Sequence, residues 1–438
     1  MRDKGKKKLG FITLGCQMNK HDSEWIAGVL ADTHEVTVRH SEADFLVINT
    51  CAVRDKAEQK FTSLLGRLRP LKTSKRGMVI GVAGCVAQEH GEALAKREPI
   101  VDMVFGSRTI ARVPEMLARF EQTGQTQVNI SDNGGFDDYP MVRESSVSAW
   151  VSIMQGCDNF CSYCIVPLVR GRERSRPAES IISEVCRLAS EGYVEITLLG
   201  QNVNSYGRGL AEKTDFPSLL ARVSAVEGIK RIRFITSHPK DLSDRLIDTM
   251  ASLENVCPSL HLPLQSGSDP ILKQMNRGYS ADEYFRMVDR LRDRIPGISL
   301  TSDIIVGFPG ETDADFQMTI KALERLRFYN IFLFKYSPRS GTAAAALDGE
   351  VGLKITSDRF LEAMDTQEAI SRRWYESWVG KQVEVLVEGP NKKNPEKSTG
   401  RTRENLMVHF MADKNYTGKF IHVNIMGAGR YSLEGRLS

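Results

Sequence analysis

The stretch QGCDNFCSYC, residues 155–164, decides the fold class of this chain of 438 residues. Its cysteines, Cys157, Cys161 and Cys164, follow a CxxxCxxC spacing. Three soft thiolates on one short loop can each bind one iron of a cubane iron–sulfur cluster, and the fourth iron then stays open to another ligand. A structural zinc site or an electron-transfer ferredoxin requires a fourth ligand, and the next two cysteines in the chain have no partners at the usual short spacing. The loop therefore predicts a cluster that can bind a small molecule.

Apolar, β-rich runs alternate with helix-patterned segments around and after this loop. The runs are 149–154, 194–199, 231–236, 259–264, 299–306 and 331–336. Six such units predict a partial (β/α)6 barrel similar to a TIM barrel. The cysteine loop comes just past the first strand, and polar residues follow the later strands. Barrels of this kind place their functional groups at the carboxyl ends of the strands, so we expect these residues to converge on one pocket.

The cysteine loop and these strand ends resemble the radical S-adenosylmethionine (SAM) superfamily. In that superfamily the open iron chelates the methionine end of SAM, and reductive cleavage yields a deoxyadenosyl radical. The resemblance implies a set of cofactor-binding residues in the loop and after the strands. These are Tyr163, Gly200, Gln201, Asn202, Gln265, Arg277 and Asp303. Arg277 also fits a surface salt bridge, and His238, which precedes a proline, is interpreted as a turn residue rather than a proton-transfer group.

A second group of cysteines, Cys16, Cys51 and Cys85, lies in the amino-terminal third of the chain. Each follows a predicted strand and is followed by a predicted helix. The strands are 9–14, 45–49 and 78–83, and the helices are 23–31, 57–68 and 88–96. The spacings of 35 and 34 residues are close to one βαβ repeat, which predicts a Rossmann-like parallel α/β domain with the thiolates at one sheet edge. The alternative is three buried structural cysteines.

The sequences around these cysteines resemble the signature of the methylthiotransferases. They are TLGCQMN at 13–19, NTCAVR at 49–54 and GCVAQ at 84–88. The resemblance implies that Cys16, Cys51 and Cys85 bind a second 4Fe-4S cluster, whose free iron carries the sulfur delivered to the product. It therefore implies two 4Fe-4S clusters and SAM as cofactors, with the six cysteines as cluster ligands and catalytic residues.

The carboxyl-terminal segment predicts a small all-β barrel. Its short strands are 383–387, 406–410, 420–425 and 431–434, separated by turn residues. Residues 380–438 contain 10 Lys or Arg against 6 Asp or Glu, so the whole net charge of +4 lies in this segment. The segment resembles an OB-like TRAM barrel, an RNA-binding domain. The resemblance implies that the stretch GRTREN, residues 400–405, contacts RNA through Arg401, Arg403 and Asn405.

A basic cluster begins six residues after the cysteine loop. It consists of Arg170, Arg172, Arg174 and Arg176, with only Glu173 to offset the charge. Its place beside the predicted active site favours contact with RNA phosphates by the first three arginines. The alternative is a solvated run that flanks a helix.

Composition is consistent with an ordinary multidomain enzyme, with 41% hydrophobic and 26% charged residues. The sequence has no apolar run of membrane-spanning length and no secretory signal, which predicts a cytoplasmic protein that does not contact membranes. We expect an amino-terminal methylthiotransferase domain at 1–125, a linker at 126–146, a radical SAM domain at 147–376 and a TRAM domain at 377–438.

Within the methylthiotransferases the chain is most similar to the bacterial branch that acts on N6-isopentenyladenosine in tRNA. The resemblance rests on residues 49–54, 160–175, 198–206 and 400–405. It implies methylation of cluster-bound sulfur by one SAM, hydrogen abstraction from adenine C2 by the radical of a second SAM, and sulfur insertion at C2. The implied product is 2-methylthio-N6-isopentenyladenosine next to the anticodon. The implied partners are the tRNA anticodon loop, an external electron donor and a sulfur source, and the implied state is a monomer.

Three alternatives remain open at this point. A sister methylthiotransferase would act on N6-threonylcarbamoyladenosine in tRNA or on an aspartate of a ribosomal protein. A noncatalytic RNA-binding protein would use the metal structurally. An electron-transfer protein would carry fully coordinated clusters and would not cleave SAM.

Overall fold

A computed structural model describes residues 5–51, 55–131 and 141–438, with the side chains of residues 55–59 left out. The chain divides into two compact units. The first contains Met1–Glu144, Gln155–Asp158 and Cys164–Arg174, and the second contains Ser145–Met154, Asn159–Tyr163 and Ser175–Ser438. Within the described residues, no helix combines the length and apolar character that crossing a membrane requires.

The first unit is built on a parallel sheet of six strands. The strands are β1 (Lys7–Leu14), β2 (His34–Thr37), β3 (Phe45–Thr50), β4 (Val79–Gly84), β5 (Met103–Phe105) and β6 (Gln127–Asn129). The helices are α1 (Gln17–Val29), α2 (Asp55–Ser74), α3 (Cys85–Arg97), α4 (Val113–Thr123) and α5 (Val166–Arg170). The strand order is β2-β1-β3-β4-β5-β6, and all neighbours pair in parallel. The predicted parallel α/β domain is confirmed.

Side chains from both faces of this sheet are buried. Every residue of β3 is buried, and alternate residues join different core clusters: Leu46 and Ile48 pack on one side, and Phe45 and Val47 on the other. Continuous apolar runs are typical of central parallel strands covered by helices on both faces. The carboxyl ends of β1, β3 and β4, neighbouring parallel strands, therefore lie at one edge of the sheet.

Strand β6 extends the sheet past residue 125, where a linker is predicted. Gln127 N–H donates to Asp102 O at 2.9 Å, and Gly106 N–H donates to Asn129 O at 3.0 Å. The three residues QVN lack a strand pattern, so pairing with β5 rather than local sequence makes this strand. Residues 132–140 of the predicted linker, and residues 52–54 of the second cysteine motif, lie outside the described residues.

The second unit contains the predicted partial barrel. Its long strands are β7 (Ser148–Ser152), β10 (Glu195–Leu199), β11 (Arg231–Phe234), β12 (Ser259–His261), β13 (Ser299–Val306) and β14 (Asn330–Lys335), and two short strands are β8 (Met154–Gln155) and β9 (Arg174–Ser175). The helices are α6 (Ala178–Ser190), α7 (Phe216–Ser224), α8 (Asp244–Ser252), α9 (Asp269–Gln274), α10 (Ala281–Arg294), α11 (Asp313–Leu326) and α12 (Leu353–Glu376). Two three-stranded parallel sheets, β11-β10-β7 and β12-β13-β14, are linked by a bridge between Ile232 and Val256. The predicted α/β region is confirmed.

A closed five-stranded barrel ends the chain. Its strands are β15 (Gln382–Pro390), β16 (Lys397–Arg401), β17 (Met407–Met411), β18 (Phe420–Ala428) and β19 (Leu433–Leu437). They close in the order β15-β16-β17-β19-β18, which confirms the predicted barrel. Strand β16, KSTGR, is not among the predicted strands because it lacks alternating apolar residues. Position 400 in β16 requires glycine, because a Cβ there would lie 2.3 Å from Leu386 O on the neighbouring strand.

Candidate functional site

The three amino-terminal cysteines lie at the carboxyl edge of the first sheet. Cys16 follows β1 and caps α1, Cys51 follows β3, and Cys85 is the first residue of α3 directly after β4. Strands β1, β3 and β4 are neighbours, with Leu14 opposite Thr50 and Thr50 opposite Gly84. The parallel register therefore brings the cysteines together although they are far apart in the chain. We call Cys16, Cys51 and Cys85 the thiol triad.

Buried asparagines connect the loops that carry the thiol triad. Asn19 Nδ2 donates to Asn49 Oδ1 at 2.9 Å, and Asn49 Nδ2 donates to Asn19 O at 2.7 Å. The Cys16 thiol lies 3.4 Å from Asn19 Oδ1, and both asparagines are fully buried. Gly84 is also required, because its φ is 86° and a Cβ would lie 2.5 Å from Asn49 Oδ1. These roles explain why the cysteine motifs contain asparagine and glycine.

The thiols of the triad interact directly. The pKa of both Cys16 and Cys85 is lowered to about 6, chiefly by the hydrogen bond with Cys51 and also by the positive charge of Arg170, while burial acts in the opposite direction. The shared hydrogen bonds raise the pKa of Cys51 instead. Cys16 and Cys85 also lie at the starts of helices, where the helix dipole favours a negative charge. The site therefore favours the thiolate, the form that binds iron, at Cys16 and Cys85.

The triad fits the iron–sulfur cluster that its cysteine pattern implies. Its donors are three soft sulfurs, and a cation lies beside them to offset their negative charge. Among the described residues, no group of three or more His, Cys, Asp or Glu side chains is arranged to hold a single metal ion. That result does not bear on a cubane cluster, in which each thiolate binds a different iron.

The basic cluster separates into two buried and two exposed arginines. Arg170 is 4% exposed and its Nη2 lies 2.7 Å from Asp22 Oδ2, while Arg176 is 7% exposed and pairs with Glu184. Arg172 and Arg174 are exposed, and Arg172 forms two hydrogen bonds with Asp158 at 2.7 and 3.0 Å. Only the two exposed side chains are placed where RNA could reach them.

The CxxxCxxC loop follows β8. Cys157 and Cys164 belong to the first unit and Cys161 to the second. Cys157 is buried, and its N–H donates to Gly171 O at 3.2 Å. Gly156 permits this close approach, because its φ is 76° and a Cβ would lie 2.1 Å from Arg172 O. Ligation of one cluster by the three cysteines stays a prediction.

Cys161 lies beside two nitrogen-containing side chains. Arg277 Nη1 donates to Cys161 Sγ at 3.1 Å, and His238 Nε2 lies 3.9 Å from the same sulfur. His238 Nδ1 accepts a hydrogen bond from Lys240 N–H at 3.3 Å, which leaves Nε2 as the protonated nitrogen of a neutral ring. Burial lowers the pKa of His238 to about 2. His238 caps a 3-10 helix at Pro239–Asp241, in agreement with its interpretation as a turn residue.

Arg277 is buried in a polar network rather than in a surface salt bridge. Its Nε donates to Tyr279 Oη at 3.0 Å, its Nη2 to Pro263 O at 3.1 Å, and its Nη1 lies 3.4 Å from Tyr163 Oη. The buried guanidinium therefore supplies positive charge where the sequence predicts the cofactor's carboxylate. Tyr279, which orients Arg277, is not among the site residues predicted from the sequence.

Unsatisfied polar atoms lie at the carboxyl ends of the second unit's strands. Within the described part of the chain, Asn202 Oδ1, Ser237 Oγ and Gln265 Oε1 are buried without a hydrogen-bond partner. Buried polar atoms without partners are costly, so their presence points to a polar ligand. Gln265 also has a φ of 74°, a strained conformation typical of functional sites. These residues fit the polar groups of SAM.

The remaining predicted cofactor residues have other surroundings. Gly200 lies at the end of β10, where a Cβ would be 2.5 Å from Met154 Cγ, and Gln201 follows it half-buried. Asp303 lies within β13, and its Oδ1 is 3.5 Å from His261 Nε2. Contact of these residues with SAM stays a prediction.

The predicted RNA loop of the terminal barrel packs against the α/β region. Arg231 Nη1 donates to Arg401 O at 2.7 Å, and Arg233 Nη1 donates to Arg403 O at 2.8 Å. The side chains of this loop are also engaged. Arg403 Nη2 donates to Glu254 O, Arg401 Nε donates to Glu388 Oε1 at 2.9 Å, and Arg401 Nη1 lies 3.4 Å from Asn405 Oδ1. The loop therefore docks one domain on another, a role that its charge alone did not indicate.

Three protein families match parts of the chain. The Radical SAM superfamily matches residues 151–323, Uncharacterized protein family UPF0004 matches residues 8–106, and the TRAM domain matches residues 376–438. The second match contains the thiol triad, and the first contains the CxxxCxxC loop. The fold and the sites thus define a radical SAM enzyme with an additional amino-terminal domain and a TRAM barrel.

Relatives match the chain over almost its full length. The tRNA-2-methylthio-N(6)-dimethylallyladenosine synthase of Moorella thermoacetica is 45% identical over 439 residues, 99% of each chain. The enzyme of the same name from Syntrophomonas wolfei is 47% identical over 444 residues, 100% of this chain and 99% of the relative. The chain belongs to the family of tRNA-2-methylthio-N6-dimethylallyladenosine synthases.

A solved structure supports the fold. The radical S-adenosylmethionine methyltransferase TsrM of Kitasatospora setae, with tryptophan substrate and a SAM analogue bound, has a TM-score of 0.56 and 13% identity. The similarity covers 83% of this chain and 89% of that chain. At this identity the similarity shows the shared fold alone.

Proposed function

We infer that this enzyme converts N6-isopentenyladenosine, also called N6-dimethylallyladenosine, next to the anticodon of tRNA into its 2-methylthio derivative. The observation that carries the inference is the convergence of Cys16, Cys51 and Cys85 at one sheet edge, in a chain that also contains the CxxxCxxC loop. Two separate three-thiol sites suit a reaction that needs both a radical and a sulfur donor. The full-length relatives carry this activity in their names.

The six cysteines are proposed as ligands of two 4Fe-4S clusters. Cys157, Cys161 and Cys164 would hold the cluster that cleaves SAM, and the thiol triad would hold the second. When bound, these cofactors supply the deoxyadenosyl radical, the methyl group and the sulfur. The chain supplies the surroundings: Arg277 Nη1 lies 3.1 Å from Cys161 Sγ, where its positive charge would offset the negative charge of a cluster.

The residues at the strand ends would bind and orient SAM. Asn202 Oδ1 and Gln265 Oε1 are acceptors without partners among the described residues, which suits the cofactor's amino and hydroxyl groups. Arg277 suits its carboxylate. Tyr163, Gly200, Gln201 and Asp303 complete the proposed set. The neutral His238 ring presents Nε2–H toward Cys161 Sγ, so it orients the ligand loop without adding charge.

The substrate tRNA is proposed to contact the exposed arginines of the basic cluster and the terminal barrel. Adenine C2 lies within a folded anticodon loop, so the base has to leave its stack to reach a buried pocket. Exposed Arg172 and Arg174 suit phosphate contacts. The proposed contacts of Arg401, Arg403 and Asn405 would have to coexist with the docking of their loop.

Other proposals follow from the chemistry. Reductive cleavage of SAM requires an external electron donor, and repeated turnover requires a sulfur source. None of the eight cysteines, all within the described residues, is paired in a disulfide, which suits the reducing cytoplasm. We propose that the enzyme acts there as a monomer.

The assignment is tested first by iron and acid-labile sulfide analysis of anaerobically reconstituted protein. Wild type should hold about eight irons, and the Cys16→Ala/Cys51→Ala/Cys85→Ala variant about four, as two cubane clusters require. Cys186→Ala is the matched control, because Cys186 is exposed. About four irons in both proteins would contradict a triad-bound cluster.

Substrate choice is tested by mass spectrometry after incubation with SAM and a reductant. A methylthio mass gain is expected on tRNA that carries N6-isopentenyladenosine. Gain only on threonylcarbamoyladenosine tRNA, or only on a ribosomal protein, would assign a sister activity. Release of deoxyadenosine separates both cases from a noncatalytic or electron-transfer protein.

A further inference from the structure

A buried ion pair lies beside the thiol triad. Arg170, the last residue of α5, is 4% exposed, and Asp22 on α1 is 2% exposed. Arg170 Nη2 donates to Asp22 Oδ2 at 2.7 Å. Removing two charges from water costs several kcal/mol per ion, and stability alone is often served as well by apolar residues. The pair therefore calls for an explanation beyond packing.

The Arg170 guanidinium lies beside the triad as well as beside Asp22. Val169, its neighbour in α5, packs in the same core cluster as Cys85, and Asp22 belongs to the helix that Cys16 caps. The positive charge of Arg170 acts on both Cys85 and Cys16. Arg170 Nη1 is buried and has no hydrogen-bond partner among the described residues. An N–H donor left unsatisfied beside three thiols fits an acceptor that the triad would hold.

The backbone around Arg170 is fixed by a second buried arginine. Arg108 is 6% exposed, and its Nη2 donates to the carbonyls of Arg170 and Arg172, the latter at 3.0 Å. Gly171 allows this contact, because its φ is 71° and a Cβ would lie 2.7 Å from Arg108 Nη2. The protein's own residues thus hold Arg170 in place: Arg108 binds its carbonyl and Asp22 pairs with its guanidinium.

We propose that Arg170 is a positioning residue for the group bound by the triad, donating an N–H hydrogen bond and a permanent positive charge to its sulfur atoms. Both effects stabilise the more negative, reduced state of an iron–sulfur group, so they raise its reduction potential. Asp22 orients Arg170 and partly offsets its charge. The inference rests on the proposed role of the triad as cluster ligands. It replaces RNA contact as the function of Arg170.

The test uses the full chain with Cys157, Cys161 and Cys164 changed to alanine, so that the triad alone binds iron. The midpoint potential of the bound cluster is measured by a redox titration followed by electron paramagnetic resonance. In Arg170→Gln, the ratio of reduced to oxidised cluster at the parent midpoint should fall about tenfold, equivalent to about 59 mV for one electron. Arg170→Lys, which keeps the charge without the planar fork, should show a smaller fall.

Asp22→Asn should shift the midpoint potential in the opposite direction from Arg170→Gln. Without its counter-charge, Arg170 would act more strongly on the cluster, so the reduced fraction should rise. A merely structural pair would shift the potential in the same direction in both variants, or not at all. Arg172→Gln is the matched control, because Arg172 is 74% exposed, lies two residues away and should leave the potential unchanged.

The possible failures are distinguishable. If the parent binds no iron, both the ligand assignment and this inference are overturned. Normal iron content with an unmoved potential in Arg170→Gln overturns the inference alone. Loss of iron from Arg170→Lys, which preserves the charge, also overturns it and assigns Arg170 a purely structural role.

Discussion

Arg233→Ala tests how the terminal barrel is attached to the α/β region. The Arg233 side chain is 7% exposed, its Nε lies 3.0 Å from Glu195 Oε2, and its Nη atoms donate to the carbonyls of Thr402 and Arg403, each at 2.8 Å. Alanine would leave the Glu195 carboxylate, also 7% exposed, without its cation. Two loop carbonyls would lose their donors at the same time.

The expected cost follows from burial. Removing one partner of a buried ion pair destabilises a protein by about 3–5 kcal/mol, because the other charge stays buried and uncompensated. The exposed pair of Arg172 and Asp158 gives the comparison, since such a pair contributes about 0–1 kcal/mol. The double variant Arg233→Ala/Glu195→Gln should recover part of the loss, because no unpaired charge is left.

The assay is urea unfolding followed by tryptophan fluorescence. Trp374 and Trp378 pack against the core of the terminal barrel and report on it directly. Arg233→Ala should unfold at a clearly lower urea concentration than wild type, and limited proteolysis should release the barrel sooner. If Arg233→Ala and Arg172→Ala shift the free energy of unfolding equally, by about 1 kcal/mol or less, the ion pair does not secure the barrel.

Further predictions concern the triad, acid stability and RNA. Gly84→Ala should reduce the amount of iron bound by the triad, because a Cβ would lie 2.5 Å from Thr50 O. The control is Gly124→Ala, since Gly124 also has a positive φ, 65°, but no atom lies within 4 Å of its added Cβ. Equal iron content in both variants would refute the steric argument. His34→Gln should make stability less sensitive to acid. Burial lowers the pKa of His34, so below about pH 6.5 the unfolded state binds more protons than the folded state, and the stability of wild type decreases as the pH is lowered. If the urea midpoints of wild type and His34→Gln decreased equally between about pH 7 and pH 5, this prediction would be wrong. Arg174→Gln should lower the slope of log affinity for tRNA against log salt by about 0.7–0.9, whereas Arg170→Gln should not, because only the exposed side chain can neutralise a phosphate. A reduced slope in Arg170→Gln would restore the RNA prediction for that residue.

The amino-acid sequence by itself determined the class of protein and the two groups of cysteines. Cysteine spacing and the alternation of apolar runs with helical segments are local features, which each segment of the sequence encodes by itself. Because parallel strands end at one edge, the positions of Cys16, Cys51 and Cys85 after strands β1, β3 and β4 were enough to predict that they meet.

Only the tertiary structure decided which charged residues face water. In the sequence, Arg170 and Arg174 belong to one basic run, yet Arg170 is buried against Asp22, 148 residues away in the chain. The same holds for the loop at 400–405, because its charge does not indicate that its carbonyls accept hydrogen bonds from Arg231 and Arg233. Strands β6 and β16 lack a strand pattern of their own and form by pairing with neighbouring strands. Ion pairs depend on partners that are distant in sequence, and no local pattern of charge or hydrophobicity encodes those partners.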